Sequence, residues 1–294
     1  MEVLFLGTSS MVPTKERNHS SILVSCRNES ILVDCGEGTQ RQLKIAGIKL
    51  TKITKILISH WHGDHVLGLP GLIQSMGASD YRQTLHIYGP KGIKENISRT
   101  LNLFVFEKKF EIVVEEARGR FFSGDVVLEC TPLHHGIPSL GYSIMEADRR
   151  KINLEYTKKI GIPQGPLLGK LQSGKSIMWK GKRIGANKAT NIVKGKKITI
   201  ISDTLPCREA EKLAKASNLL VCESTYSSEM EAKAKDHMHM TSSQAAKLAK
   251  TSNSERLTIT HFSSRYKDAK ILEKEAKSVF KNASAANDFM KIKI

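Results

Sequence analysis

Six residues constrain this chain more than any other stretch: His60-Trp61-His62-Gly63-Asp64-His65 sets four metal-binding side chains almost in succession. The run before them, Lys55-Ile56-Leu57-Ile58-Ser59, reads as a buried strand, so His60 stands at its C-terminal end. Sites in α/β proteins collect at such strand ends, and Gly63 permits a tight turn before Asp64 and His65. Imidazoles and a carboxylate at this density suit zinc. A single histidine would say little, but three with an aspartate call for a common purpose. The expected fold is an α/β architecture that lines up strand ends around metal.

Two zinc ions about 3.5 to 4 Å apart need more ligands than this cluster holds, including one that bridges them. The rest of the chain offers candidates in equivalent positions. His135 follows the predicted strand 126–130, Asp203 follows 198–201, and His261 follows 257–260. Taken singly each could be structural; taken with the cluster they suggest one centre.

Similar runs recur along the chain. Residues 3–6, 22–25, 31–33, 85–88 and 111–114 read as strands, and 91–103 as a helix with Ile93, Ile97 and Leu101 at helical spacing. In the second half, 206–216 is predicted as a helix beginning at proline, 219–222 as a strand, and 241–250 as a helix capped by Thr241 or Ser242. Two α/β halves, 1–146 and 191–294, are expected to form one domain around an insertion at 147–190. The insertion has a short helical pattern at 153–160, then Gly161, Pro163, Gly165, Pro166, Gly169 and Gly174 with little apolar periodicity. That composition predicts a protruding arm rather than a domain with a core of its own.

Charge concentrates in the same place. Between Ala147 and Lys197, 14 Lys and Arg stand against two acids, Asp148 and Glu155, a net +12 of the whole chain's +17. Such a stretch is either a solvated surface or a patch that neutralises phosphates. Five scattered cysteines form no Cys-x-x-Cys pair and leave one over under any disulfide scheme, which fits a reducing compartment. The N-terminus lacks a basic leader with a cleavage site, and no run approaches the roughly 20 apolar residues of a membrane span. A soluble, cytoplasmic protein with no membrane partner and no nucleotide cofactor is expected.

His60-x-His62-x-Asp64-His65, Leu133-His134-His135-Gly136 leading to Gly141-Tyr142, Ser202-Asp203-Thr204 and Thr260-His261-Phe262 resemble the successive motifs of the metallo-β-lactamase superfamily. That resemblance implies an αββα sandwich with metals at the sheet edges. A further set is similar to the ribonuclease Z family, endonucleases that trim the 3′ end of precursor tRNA. It comprises Phe5-Leu6-Gly7-Thr8, Pro13-Thr14-Lys15 with Arg17-Asn18, Asp34-Cys35-Gly36-Glu37-Gly38-Thr39-Gln40, Gly68-Leu69-Pro70-Gly71-Leu72, Glu223-Ser224-Thr225-Tyr226, His239-Met240-Thr241 and His261-Phe262-Ser263-Ser264-Arg265-Tyr266. These motifs run in order over nearly the whole chain. Ile162-Pro163-Gln164-Gly165-Pro166-Leu167 is similar to the Gly-Pro segment of that family's tRNA-binding arm.

The resemblance implies two zinc ions per subunit, one on His60, His62 and His135, the other on Asp64, His65 and His261, with Asp203 bridging. His135 is favoured over His134 because the family's ligand histidine stands six residues before the glycine of Gly141-Tyr142. Water on such a pair falls from a pKa of 15.7 to about 7 and can attack phosphorus at neutral pH. Asp64 is implied to orient or deprotonate it, and His239, supported by Glu223, to protonate the leaving oxygen, so that the tRNA keeps a 3′-OH. Gly165 and Pro166 fall in the implied arm, which in a homodimer serves the partner's site. Arg17, Ser263 and Arg265, in turns that could face the site, are candidates for RNA contacts. His19, His86 and His237 carry no such support. A thioester or lactone hydrolase of the superfamily would share the ligands but has no use for a +12 insertion. A non-catalytic RNA binder would not need seven ligands, and a phosphodiesterase for other RNA would share both features.

Overall fold

The computed structural model describes residues 1–294 except 106 and 108. β1 (Glu2–Gly7), β2 (Ser21–Cys26), β3 (Glu29–Val33), β4 (Lys55–Leu57), β5 (Leu85–Gly89) and β6 (Ile112–Glu116) lie side by side in chain order. β7 (Gly119–Ser123), β8 (Val126–Leu133) and β9 (Ser139–Glu146) begin a second sheet. Two small hairpins follow, in which β10 (Arg149–Ile152) and β11 (Ile177–Trp179) pair with strands further on: β11 with β12 (Lys182–Ile184), β10 with β13 (Thr190–Val193). β14 (Lys197–Ile201), β15 (Leu219–Glu223), β16 (Leu257–Thr260) and β17 (Ala283–Ala285) complete the second sheet in the order β17-β16-β15-β14-β9-β8-β7. The closing strand β18 (Lys291–Lys293) returns to the first sheet beside β1.

Alternation within the strands explains how the sheets stack. In β1, Val3 and Phe5 join one core while Leu4 and Leu6 join another. The first of these lies between the sheets, since it also takes Leu128, Tyr142, Ile198, Ile200 and Val221 from the second. The outer face of the first sheet packs Ile56, Ile58 and Ile87 on helical Leu43, Leu72, Met76 and Ile97. The outer face of the second packs Ile201, Leu220 and Ile259 on Leu213, Ala245, Ala249 and Leu272. Helix, sheet, sheet, helix is therefore what these runs dictate: strands apolar on both faces must be covered twice.

β3 to β6 run parallel, as do β14 to β17, so in each set the C-terminal ends emerge along one edge. The predicted helix at 241–250 is Ser242–Thr251, capped by Thr241 with Gln244 completing a capping box. The one expected at 206–216 is shorter, Arg208–Ala214. Helix Leu69–Ala78 escapes the sequence reading because Leu69-Pro70-Gly71 looks like a turn, although proline is at ease in a first helical turn.

The chain divides into two compact units, Met1–Met145 with Lys197–Ile294, and Glu146–Lys196. The second unit differs from the expected core-less arm. Ile162, Leu171, Ile177, Ala186 and Ala189 form a small buried cluster, and the Trp179 indole N–H donates to the Ile160 carbonyl at 2.9 Å. Its apolar residues are brought together by turns rather than by helical period, which is why the pattern is invisible along the chain. Among the described residues, no helix is long and apolar enough to cross a membrane.

One ion pair fastens the start of the parallel strands. Lys55 Nζ donates to Glu29 Oε2 at 2.5 Å, Thr54 Oγ1 donates to the same oxygen, and both charged residues are buried. Burial alone would raise the Glu29 carboxyl, but Thr54 and Lys55 hold it below its ordinary 4.5. Glu29→Ala strands the ammonium and should lower stability by about 3 to 5 kcal/mol in urea unfolding near neutral pH. A carboxyl depressed by folding stabilises above its unfolded pKa and loses that contribution as pH falls. The deficit of the variant should therefore shrink below pH 4.5; a deficit that stays constant into acid would contradict this account.

Candidate metal centre

Much of the site stands at or just beyond strand ends. Asp34 follows β3, His60 lies three residues past β4, Asp203 two past β14, Glu223 closes β15, and His261 directly follows β16. Asp34 and His261 turn the chain with positive φ, 59° and 62°, uncommon for residues other than glycine and typical of functional turns. His62 caps the short helix Gly63–Val66 that carries Asp64 and His65. The turn is held down by backbone contact: a Cβ at Gly68 would lie 2.1 Å from the Gly36 carbonyl oxygen, and one at Gly36 2.4 Å from that of Asp64. Only glycine lets the three loops approach so closely.

Two groups of side chains converge there. His60, His62, His135 and Asp203 form one, and Asp64, His65, Asp203 and His261 the other, with ligand atoms within 4.8 Å of one another. Asp203 is common to both. Its Oδ2 lies 3.5 Å from His60 Nε2 and from His65 Nε2, and its Oδ1 3.3 Å from His261 Nε2. His134, by contrast, is exposed beside Glu209.

Hydrogen bonds on the outer ring nitrogens decide what the inner ones present. His65 Nδ1 faces Asp34 Oδ2 at 2.7 Å, and His135 Nδ1 faces the Met238 carbonyl at 3.2 Å. Neither oxygen can donate, so both Nδ1 atoms carry the proton when the rings are neutral. Ser59 Oγ donates to Asp34 Oδ2 at 2.8 Å and accepts from His60 Nδ1 at 3.0 Å. Bare nitrogens then point inward: His60 Nε2 lies 3.1 Å from His62 Nδ1, and His65 Nε2 3.2 Å from His261 Nε2. Asp64 Oδ1 and Asp203 Oδ1 are buried with no hydrogen-bond partner. Converging lone pairs and buried, unpartnered carboxylate oxygens call for a cation, and imidazole with carboxylate is a donor set for zinc.

The electrostatics say the same. Burial and the neighbouring His65 push His60 well below its ordinary value. Burial would lower His65 too, but Asp203, Asp34 and Asp64 outweigh it and hold that ring well above. Burial would raise Asp203, yet His261, His65 and His239 keep it far below the carboxylate range. With no metal, the charge of three carboxylates is answered by protons on the rings. A metal ion bound among these groups would take the place of those protons.

Beside these groups stands a third set. His239 Nδ1 lies 3.1 Å from Glu223 Oε1, and Glu223 is fully buried. Burial opposes charge on His239, but Glu223 and Asp203 prevail and raise it to about 9. Its backbone is fixed by the tight turn ahead of the Thr241 cap, where Met238 has φ 56°.

The remaining candidates fare differently. Arg17 is buried: its guanidinium donates to the Tyr266 carbonyl and lies 5.8 Å over the Phe262 ring, so its surroundings are those of a brace between the N-terminal loop and the segment after His261. Arg265 is exposed, 5.1 Å over the Tyr226 ring, with Nε donating to Ser263 Oγ at 2.9 Å. Gly165, at φ 145°, opens helix Pro166–Gln172 in the separate unit Glu146–Lys196. Sequence reasoning assigned no role to Asp34, Ser59, Thr225 or Asp288. Asp288 accepts from Thr8 Oγ1 and the Asn18 N–H, both at 2.8 Å, fixing the N-terminal loop from the far end of the chain. Their signal along the chain is slight: Asp34 and Thr225 fall inside recognised motifs, Asp288 in none.

Known proteins resemble this chain in sequence and in fold. A family model described as Anti-Pycsar protein Apyc1 matches residues 1–146. Ribonuclease Z of Methanothermobacter thermautotrophicus is 40% identical over 301 residues, covering 100% of this chain and 97% of that protein. The crystal structure of human tRNase Z, short form, is 31% identical with a TM-score of 0.73, covering 100% of this chain and 99% of that one. The metallo-beta-lactamase fold protein YhfI from Bacillus subtilis superposes equally well, TM-score 0.73 over 99% of this chain and 98% of its own, at 17% identity, and so speaks for the fold alone. With a full-length relative at 40% identity and its ligand groups at the edge of an αββα sandwich, the chain belongs to the ribonuclease Z family, endoribonucleases of the tRNase Z type on the metallo-β-lactamase fold.

Proposed function

We propose that this enzyme removes the 3′ trailer from precursor tRNA, holding two zinc ions per subunit and leaving a 3′-OH on the tRNA. The observation that carries the chemistry is the sharing of Asp203 between two ligand groups. His60, His62 and His135 would hold one ion, Asp64, His65 and His261 the other, and Asp203 would bridge them. When bound, the ions would supply an activated water and offset charge on the phosphate oxygens. Asp64, the group the family resemblance puts forward to orient that water and accept its proton, keeps Oδ1 free of protein hydrogen bonds. Glu223 binds His239 through Nδ1, which leaves Nε2 to deliver a proton to the departing 3′ oxygen. Neither residue needs to move: a buried carboxylate fixes the donor ring before substrate arrives.

Substrate enters the reading through the family and through charge. The unit Glu146–Lys196 carries most of the chain's excess of Lys and Arg and serves as the tRNA-binding arm, with Gly165 and Pro166 at the start of one of its helices. Arg265 and Ser263, on the segment that follows His261, would meet phosphate near the cut. The thiols of Cys35, Cys130, Cys207 and Cys222 favour a reducing cytoplasm. Exposed Leu103, Phe104 and Val105 favour a covered surface, in keeping with a homodimer.

Incubating the protein with a precursor tRNA should give a single cut near the discriminator base, abolished with the zinc content by His65→Ala; absence of a cut beside rapid thioester hydrolysis would overturn the reading. His239→Ala should lower kcat by about 10²- to 10⁴-fold and leave bound zinc unchanged, as measured by metal analysis. The backbones of Glu146 and Lys196 are hydrogen-bonded at 3.0 Å, so a short Gly-Ser linker can replace residues 147–195. That variant should lose on the order of 10²-fold or more in precursor affinity, with a flatter salt dependence, while still hydrolysing a small phosphodiester. Equal loss of both activities would argue against a separate binding arm.

A further inference from the structure

One hydroxyl lies between the ligand groups and the Glu223–His239 pair. Thr225 Oγ1, buried, stands 2.7 Å from Glu223 Oε2, 3.0 Å from His261 Nδ1 and 3.3 Å from His239 Nδ1. A hydroxyl offers one proton and two lone pairs. The Glu223 carboxylate can only accept, and at the shortest of the three distances it takes the Thr225 proton. The hydroxyl is then an acceptor toward His261, which must place its own proton on Nδ1. His261 Nε2 is thereby left bare where it faces Asp64 Oδ2 and Asp203 Oδ1, each at 3.3 Å.

His239 Nδ1 is served by the same carboxylate through its other oxygen, Oε1, at 3.1 Å. Two backbone N–H groups, of Thr204 at 2.9 Å and of Thr225 at 3.3 Å, complete the surroundings of Glu223. Glu223, His239 and His261 also converge closely enough to hold an ion of their own. The space between them is already filled, because Thr225 Oγ1 is within hydrogen-bonding distance of all three. The cluster is a hydrogen-bond junction.

We infer that Thr225 is a positioning residue that relays the Glu223 carboxylate to His261, so that one buried acid fixes both a zinc-binding ring and the proton-donating ring. This rests on the roles proposed above for His261 and His239. It adds a link between them: nothing along the chain ties the leaving-group side of the site to the metal side, and the Thr225 hydroxyl does so in a single step.

Thr225→Val keeps the shape and removes the hydroxyl. Zinc affinity, measured by competition with a chelator, should fall by about 10- to 100-fold, the range usual for loss of a group that orients a ligand histidine. Across a series of aryl phosphodiesters, rates should become more dependent on leaving-group acidity, because His239 is less firmly held. Thr225→Ser should restore both. Glu223→Gln should weaken zinc binding in the parent protein and add nothing in the Thr225→Val background. Parental zinc affinity in Thr225→Val, or an equal effect of Glu223→Gln in both backgrounds, would overturn the relay. Should Thr225→Val fail to fold, Glu223→Gln decides alone, since unchanged zinc affinity there removes the link. The zinc measurements need no RNA, so a failure of the tRNA reading would show separately, in the cleavage assay.

Discussion

The site is organised by an electrostatic problem that the protein alone leaves unsolved. Inward-facing ring nitrogens gather around Asp203, and two buried carboxylate oxygens have no hydrogen-bond partner. Asp34 and Ser59 deepen the problem by fixing protons on the outer nitrogens of His65 and His60. Such an arrangement is stable only with positive charge at its centre, whether protons on the rings or metal in their place. The sheets, the left-handed turns at Asp34 and His261, and the glycines that let loops touch all serve to hold these groups where they repel one another. A less rigid frame would relax by turning the rings away.

How much of this was legible depended on whether a residue's role is written in its neighbours along the chain. The strand runs at 56–58, 198–201 and 257–260 and the residues that follow them announced the ligand positions, because a strand delivers its next residue to a sheet edge regardless of the rest. Asp34 could not be weighed the same way, for its partners Ser59, His65 and Ser202 come from two sheets. Asp288 is further still from Thr8 and Asn18. The small core of Glu146–Lys196 was missed because turns, not a helical period, gather its apolar residues. Arg17, a candidate RNA contact by its place in a turn, lies buried against Phe262 with its charge turned to a backbone carbonyl, a setting its neighbours along the chain do not announce.

The proposed cleavage and the proposed recognition make opposite demands on the chain. Bond cleavage needs a rigid, desolvated cluster, and the elements that build it are covered on both faces. Recognition of a long polyanion needs exposed cations that water and salt can reach. In sequence, those cations concentrate in one inserted unit, Glu146–Lys196, which has a small core of its own.

The return of β18 to β1 has a bearing on how the frame of the site is closed. Val3 pairs with Ile292, and the carboxylate that anchors Thr8 and Asn18 is Asp288. The loop that carries Thr8 and Asn18 is therefore fastened by a residue 280 and 270 positions away in sequence. Contacts between positions so far apart are costly in loop-closure entropy, so the frame of the histidine turn depends on the whole fold rather than on its own segment.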